Sequence, residues 1–387
     1  MEHYDYILAG GGAAGLSLAY QMVHGGLQDR RILIIDLDTK QTNDRTWCFW
    51  SDGATPFDSI VKKRWSHIWF HGPERSHRFS LDPYEYRMIR GIDFYEFTRR
   101  DLEQRDTVDI LTARVASIED GRDQATVILE DGRRFTADWV FDSLFLAREF
   151  RVDEERYHFL KQHFRGWVIE TDQDVFDPDA ATMFDLRIPQ DGAFRFMYIL
   201  PENERKALVE YTFFSETLLS AEEYEEGLRT YLESYYPGVA YRIVEYEDGI
   251  IPMTEQPFPR RGGERIMFTG TKGGRVKAST GFAFHRTQQD GARIVASLRD
   301  RGTPFHGITP PRRYRTFDAM LLSVLARTPE RGRDAFIRLF ERNPLPRLWR
   351  FLDEVGTIGE NLALMATVQW GLFIAAWFRV KLGRFLR

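Results

Sequence analysis

Cysteine is almost missing from this chain: Cys48 is the single one in 387 residues, which excludes an internal disulfide framework and fits a reducing cytoplasm. Internal repeats and low-complexity linkers are missing too, which excludes a solenoid or a string of loosely tethered modules. No signal peptide is expected, because the first apolar stretch begins at once and runs into a glycine cluster. No recognition motif accompanies the basic residues, so nucleic acid is not an expected partner, and no metal site is expected. What is present is a globular composition, 43% hydrophobic and 29% charged, on a chain long enough for two or three structural units. Its charge is uneven. The net value is −5, yet Arg301 to Arg387 holds 15 Lys and Arg against 7 Asp and Glu, a balance of +8 that leaves −13 on the first 300 residues. A basic arm on an acidic body suits an anionic membrane face or an acidic partner; a solvated arginine-rich helical surface has the same composition.

The chain opens on an apolar strand from Tyr4 to Ala9, followed by Gly10, Gly12 and Gly15 in the pattern G-x-G-x-x-G and by a helix from about Ala13 to Val23. A second strand, Arg31 to Asp36, is apolar through its centre, as a buried parallel strand is. Together these form a βαβ unit. The glycine turn lets the backbone bend, approach a pyrophosphate and pack helix on strand, while the helix N-terminus offers free N–H groups to the phosphates. Asp36 lies 21 residues after Gly15 at the end of the second strand, where a carboxylate can accept ribose hydroxyls. A dinucleotide site follows. A second glycine segment, Gly270 to Gly274 and on to Ser279-Thr280-Gly281-Phe282, favours FAD over NAD, because a return loop can wrap the far end of an extended cofactor.

Further along, residues 124–136 read as a hairpin turning at Glu130-Asp131-Gly132, and Trp139-Val140-Phe141 as a buried strand. The region 151–257 is rich in short β-like runs, among them Phe194 to Leu200 and Lys206 to Phe214. Ser220 to Tyr235 reads as a helix, with Ser220 as cap and Glu223 three residues on. Beyond Pro310-Pro311 a helical pattern is expected to the end.

Four segments carry a resemblance to a known family. The opening Asp5 to Gly12 is followed by Asp44-Arg45-Thr46-Trp47-Cys48-Phe49-Trp50, then Arg195-Phe196-Met197-Tyr198-Ile199-Leu200-Pro201 leading into Leu208-Val209-Glu210-Tyr211-Thr212, then Ser279-Thr280-Gly281-Phe282. In order and in kind these resemble the bacterial lycopene β-cyclases, over most of the chain. The resemblance implies an α/β fold with a p-hydroxybenzoate-hydroxylase-like architecture: a Rossmann-like FAD-binding domain (1–65, 88–150 and 258–300), an inserted β-rich substrate domain (66–87 and 151–257) and a helical, basic C-terminal arm (301–387). It implies non-covalent FAD, active in its reduced form without net redox turnover, with NAD(P)H as the source of electrons. It implies lycopene and other acyclic carotenoids as substrates, closed at one or both ends to γ- or β-carotene.

Such a cyclisation needs a proton donor kept neutral in a dry pocket. Glu210 is the candidate, set in the apolar run Ala207 to Phe214, where strand alternation puts it on one face with Leu208 and Thr212 and turns Tyr211 away. From the residues alone, a strand carboxylate facing water or paired with an arginine is the favoured reading; the resemblance is what favours the acid. Plant cyclases carry two adjacent acids in this motif; here the second position is Tyr211, which bears on any mechanism needing both. The expected cofactor-binding residues are Ala9, Gly10, Gly12, Gly15, Asp36, Arg45, Gly270, Thr280 and Gly281. Trp47, Phe49 and Phe196 are expected to line the substrate pocket. Two other classes compete: a redox flavoenzyme on the same fold, either a monooxygenase or a prenyl-chain reductase, and a non-catalytic carotenoid-binding flavoprotein.

Residues 362–378 contain no charge and are followed by Arg379, Lys381, Arg384 and Arg387. Seventeen residues sit at the short limit for a membrane span. The segment before them, with Phe336, Leu339 and Phe340 among Arg333, Arg338 and Arg342, reads as an interfacial helix. Peripheral or monotopic attachment on the cytoplasmic side of a membrane is the expectation, with a buried helix packing on the cofactor domain as the other reading.

Overall fold

Apolar strand cores and a glycine turn set the start of the molecule: β1 (Glu2–Ala9), α1 (Ala13–His24) and β2 (Ile32–Asp36) form the expected βαβ unit in the computed structural model. The structure describes residues 1–146, 150–307 and 311–385, the last four of these by backbone alone. Five strands follow the first unit: β3 (Thr46–Ser51), β4 (Lys63–Trp65), β5 (His67–His71), β6 (Ser76–Ser80) and β7 (Glu85–Arg90). Then come α2 (Gly91–Glu103), β8 (Val108–Thr112), β9 (Val115–Glu119), β10 (Ala125–Leu129) and β11 (Arg134–Asp142). The middle of the chain supplies β12 (Leu160–Thr171), β13 (Ala180–Asp185), β14 (Phe194–Asn203), β15 (Lys206–Ser215), α3 (Ala221–Tyr235) and β16 (Tyr241–Met253). The last part holds β17 (Ile266–Phe268), α4 (Phe284–Arg301), α5 (Arg312–Arg327), α6 (Pro329–Arg342), α7 (Leu345–Leu352), α8 (Ile358–Met365) and α9 (Trp370–Phe385).

The strands sort into three sheets. The first has the order β8-β2-β1-β11-β10-β9, with β17 also on β11; β1 is parallel to both β2 and β11, while β9, β10 and β11 form an antiparallel meander. One face buries Tyr6, Leu8, Ile32, Ile34 and Phe141 with Met22, Ile294 and Leu298 of α1 and α4. The second sheet, β16-β12-β15-β14-β13-β5-β6, is mostly antiparallel. The segments 66–87 and 151–257 contain β5, β6 and β12 to β16, and β7 straddles position 87. The third is the short β3-β7-β4.

The two faces of the second sheet have different occupants, and strand alternation sorts them. Val209, Tyr211 and Phe213 turn toward α3, whose Tyr224, Leu228, Tyr231 and Leu232 cover them. Ser220 caps α3 and Glu223 reaches back to it, the reciprocal pair its spacing predicts. Leu208, Glu210 and Phe214 turn the other way. Part of that face is covered by the C-terminal helices: Phe336 sits 4.7 Å from Phe194, and Phe340 sits 4.6 Å from Phe70, ring centre to ring centre. Phe336 and Phe340 are buried there, so α6 has no apolar face left for lipid, contrary to the interfacial helix its sequence predicts. Buried ion pairs fasten the arm to the body. Lys277 meets Asp318 of α5 at 2.8 Å and Glu354 at 3.0 Å, and Arg286 meets Glu354 at 3.1 Å.

The uncharged run 362–378 is not one helix. It is divided between α8 and α9, whose axes meet at 115°. Among the described residues no single helix is long and apolar enough to cross a membrane. Arg379 and Lys381 follow as expected; Arg387 and the side chain of Arg384 lie outside the described residues.

Candidate active site

One cavity of about 630 Å³ runs from the glycine turn after β1 to the inner face of the second sheet. Its first end is built by the βαβ unit. Gly10 adopts φ +110°, a conformation that side chains other than glycine rarely take, and a Cβ on Gly15 would lie 1.9 Å from the Gly10 carbonyl oxygen. Gly12, by contrast, faces open space: a Cβ there would touch nothing within 4 Å. Helix α1 begins at that glycine with no side chain capping it and no acid in its first turn, so its free N–H groups end on the cavity wall. Asp36 accepts hydrogen bonds from the backbone amides of Gly11 and Asp38 and stands at the cavity edge. Ala9 ends β1 beside Ile35, behind the turn.

The second glycine segment arrives where the sequence places it. Strand β17 lies parallel to β11, and Lys272 forms an ion pair with the buried Asp142 at the end of β11. That holds Gly270 so close to α1 that a Cβ on it would come within 2.8 Å of the Ala14 methyl. Thr280 and Gly281 lie where the two large sheets meet, Gly281 packing on Gln162 of β12. The Thr280 hydroxyl and the Gln162 carbonyl oxygen are buried on the cavity wall with no hydrogen-bond partner in the protein. Unpaired polar atoms on a wall of this kind call for a ligand with polar ring edges. Together with the glycine cradle and the uncapped helix, they fit an extended dinucleotide such as FAD. Arg45 is on the same wall, half-exposed and near Asp44.

The other end of the cavity is lined by aromatic and aliphatic side chains around Glu210. Phe196, Phe184, Phe164, Phe214 and Leu208 form its walls. Trp47 is there too, stacked on Phe284 at 5.4 Å and edge-on to Phe94 at 5.3 Å. Phe49 is not. It is buried in the core of the first sheet, 5.2 Å from Phe284: along β3, Trp47 and Phe49 share one face, which turns away from the second sheet, and Trp47 reaches the cavity because it sits at the rim while Phe49 is one pleat further into the core. The opposite face of β3 contributes Thr46 and Cys48 instead.

Glu210 is 6% exposed and accepts a hydrogen bond from the Thr212 hydroxyl two residues on. Burial pushes its carboxyl up to about 8, the negative charge of Glu247 adds to the rise, and the Thr212 hydroxyl opposes it. At neutral pH Glu210 therefore keeps its proton. Its neighbours are in register. Tyr198 of β14 is directly opposite Glu210; on the other side Gly166 of β12 is opposite Glu210, and Glu247 of β16 is opposite Gly166. Tyr198 and Tyr86 share a hydrogen bond of 2.6 Å between their hydroxyls, and burial pushes the nearby Cys48 thiol up to about 12, so it stays neutral.

Sequence reasoning did not single out Glu247, Tyr86, Tyr198 or Gln162. Glu247 lies in the acid-rich run Glu245-Tyr246-Glu247-Asp248, which looks like a solvated strand. Only the pairing of β16 with β12 brings it inside.

A nucleotide-type βαβ sheet opening through one cavity onto an antiparallel sheet defines the class: this is the α/β fold found in flavin-dependent enzymes. A probable FAD-dependent monooxygenase of Pseudomonas aeruginosa has the same fold, with a TM-score of 0.61 over 87% of this chain and 100% of its own, at 13% identity. Within that class, the chain belongs to the lycopene cyclase family, whose model, described as lycopene cyclase protein, matches residues 5–381. The neoxanthin synthase of Solanum lycopersicum is 24% identical over 300 residues, and the lycopene beta cyclase of Arabidopsis thaliana 25% over 323. Those matches cover 73% and 78% of this chain but 58% and 61% of the relatives, so the chain spans about three-fifths of their length.

Proposed function

We propose that this protein is an FAD-dependent lycopene β-cyclase, an isomerase that closes the ends of an acyclic carotenoid into β-rings. The observation that carries the reading is a protonated carboxyl, Glu210, held in an aromatic-lined cavity that continues to a dinucleotide cradle, in a chain of the lycopene cyclase family. The cradle would hold FAD through the N–H groups at Gly12 and Ala13, Asp36 on the ribose, and the wall atoms of Thr280 and Gln162. Reduced FAD, renewed by NAD(P)H, would supply negative charge close to a carbocation without being consumed. We also propose that the segments 1–65, 88–150 and 258–300 serve the cofactor, and 66–87 with 151–257 the substrate.

Glu210 would begin the reaction by giving its proton to the terminal alkene of the carotenoid. The resulting tertiary cation is attacked by a neighbouring double bond of the same chain, forming the ring C–C bond. Loss of a proton from a ring carbon restores a double bond, so the product is an isomer of the substrate. Trp47, Phe196 and the adjacent phenylalanines exclude water that would quench the cation, and each aromatic face stabilises it by about 0.5–2 kcal/mol.

The test is expression in a lycopene-accumulating bacterium with identification of the pigment. Wild type is expected to yield γ- or β-carotene, and Glu210→Gln to lower the rate by at least about 100-fold while flavin stays bound. A wild type that carries flavin yet leaves lycopene unchanged, or consumes NAD(P)H in step with product, would overturn the assignment.

We propose further that the protein attaches to the cytoplasmic face of a membrane through α8 and α9. Ile358, Leu362, Trp370, Ile374, Trp377 and Phe378 are all exposed on this bent pair, beside Arg379 and Lys381. An apolar, Trp-bearing surface next to basic side chains suits the headgroup boundary of one leaflet.

A further inference from the structure

Glu210 does not face the cavity alone. Tyr198, Glu210, Gly166 and Glu247 occupy directly opposed positions on β14, β15, β12 and β16, so their Cβ directions lie on one face of the sheet. Between the two carboxylates stands a residue without a side chain. An added Cβ at Gly166 would lie 2.8 Å from Leu208 Cδ1 and 3.4 Å from Glu210 Cβ, so a side chain there would displace Leu208 and fill the space beside Glu210. Over this row runs β3, whose alternation delivers two residues to it. Cys48 comes down beside Tyr86 and Tyr198. Thr46 comes down on Glu247, donating its hydroxyl to Oε2 at 2.6 Å and its backbone N–H to Oε1 at 2.9 Å.

We infer that Glu247 is the positioning carboxylate of the site: fixed by Thr46 and separated from Glu210 only by the empty position at Gly166, it keeps the proton on Glu210. This rests on the reading of Glu210 as the proton donor. The two acids have unequal surroundings. Glu210 receives one hydroxyl, from Thr212, while Glu247 receives two donors from Thr46, one to each oxygen. Hydrogen bonds to the charged form favour it. Two like charges that face one another across a single bare strand repel, and with Glu210 buried that repulsion adds to the cost of its charge, so one proton stays in the pair, on the member with fewer donors. The other groups facing the row do not reverse this. Tyr198 and Tyr86 are held neutral by burial, as is the Cys48 thiol. On the Glu247 side, burial raises its carboxyl too, the two Thr46 bonds oppose that rise, and the charges of Glu245, which raises it, and Arg45, which lowers it, have smaller effects. The order of events follows. Glu210 gives up its proton only when a basic alkene is beside it, and the Glu247 charge makes the emptied Glu210 quick to take a proton back.

Two measurements test the pair, in wild type, Glu247→Gln and Thr46→Val. The first is an infrared titration of the flavin-loaded protein without substrate, following the protonated carboxyl band that Glu210→Gln abolishes. In wild type the band is expected to disappear near pH 8; in Glu247→Gln it disappears about one pH unit lower, and in Thr46→Val it moves the same way by less. The second is the pH profile of lycopene cyclisation, where Glu247→Gln is expected to lower the ratio of the rate at pH 9 to that at pH 6 about tenfold. A band and a profile that stay where wild type has them in folded Glu247→Gln would overturn the inference, even if the rate fell uniformly, since uniform loss marks a merely structural role. If Glu247→Gln does not fold, unchanged titration in Thr46→Val overturns it equally. Should wild type form no cyclised pigment, the cyclase reading fails, and the infrared titration alone still decides whether the two carboxylates are coupled.

Discussion

A carboxyl that holds its proton to about pH 8 inside a protein is a liability to the fold as well as a tool. In the unfolded chain Glu210 ionises near 4.5, so between that value and about 8 the folded state binds more protons than the unfolded state. Stability is therefore lost as pH rises through this window, on the order of 5 kcal/mol in all for a fully buried group, and levels off above the folded value. Glu210→Gln removes the term. Thermal or denaturant unfolding is expected to show the variant more stable than wild type at pH 8, with the difference vanishing near pH 4. Equal stability of the two at pH 8 would mean that the carboxyl is already ionised in the folded protein. The same chain position would then be inactive as an acid, which links a melting curve to the chemistry. Glu210 was legible through the Leu208 to Thr212 segment of the family resemblance, since its apolar run alone fits a solvent-facing carboxylate as well. Glu247 was not, because its place in the site depends on the register of β16 against β12, set by residues some 80 positions away from it in the chain.

Elements made by local rules matched their sequence signals. The turn at Gly10 to Gly15, the capped helix α3 and the hairpin of β10 and β11 each need only neighbouring residues to specify them. Elements that depend on a partner did not. Phe49 and Trp47 look alike in sequence and share one face of β3, yet Trp47 sits at the rim of the cavity and Phe49, two residues further along, is inside the core of the first sheet. The glycine turn offers a clean separation of folding from binding. Gly15→Ala drives a methyl into the Gly10 carbonyl, so it is expected to destabilise the apoprotein and to empty it of flavin together. Gly12→Ala places its methyl in open space, so the apoprotein is expected to melt as wild type does while flavin affinity, read by fluorescence quenching, falls at least about tenfold. Full flavin affinity in Gly12→Ala would show that no phosphate approaches that backbone.

At the scale of the molecule, the arm from α5 to α9 packs on the second sheet, and the proposed membrane attachment falls to a different part of it. Its first three helices close one side of the second sheet, with Phe336, Phe340 and Trp349 in a shared core and Lys277 pinned between Asp318 and Glu354. Among the described residues of the arm, the bent pair α8 and α9 carries all the large apolar side chains left in solvent except Val355 just before it. Replacing Leu362, Trp370 and Phe378 together by Ser is expected to abolish co-sedimentation with anionic vesicles while leaving the melting temperature within a few degrees. Retained vesicle binding in that variant would place the lipid contact elsewhere.

Gly166 shows how little matter can separate function from its loss. Two acids borne on β15 and β16 sense each other across the bare backbone of β12. An exchange to alanine adds a single carbon, and that carbon would have to displace the Leu208 methyl and press on Glu210, prising apart two groups whose usefulness lies in feeling one another's charge. The cofactor cradle, built by other strands, would remain whole, so flavin content alone would miss the damage. It would surface in a melting curve and, with the acids pushed apart, as an enzyme that works at a more acidic pH than its ancestor.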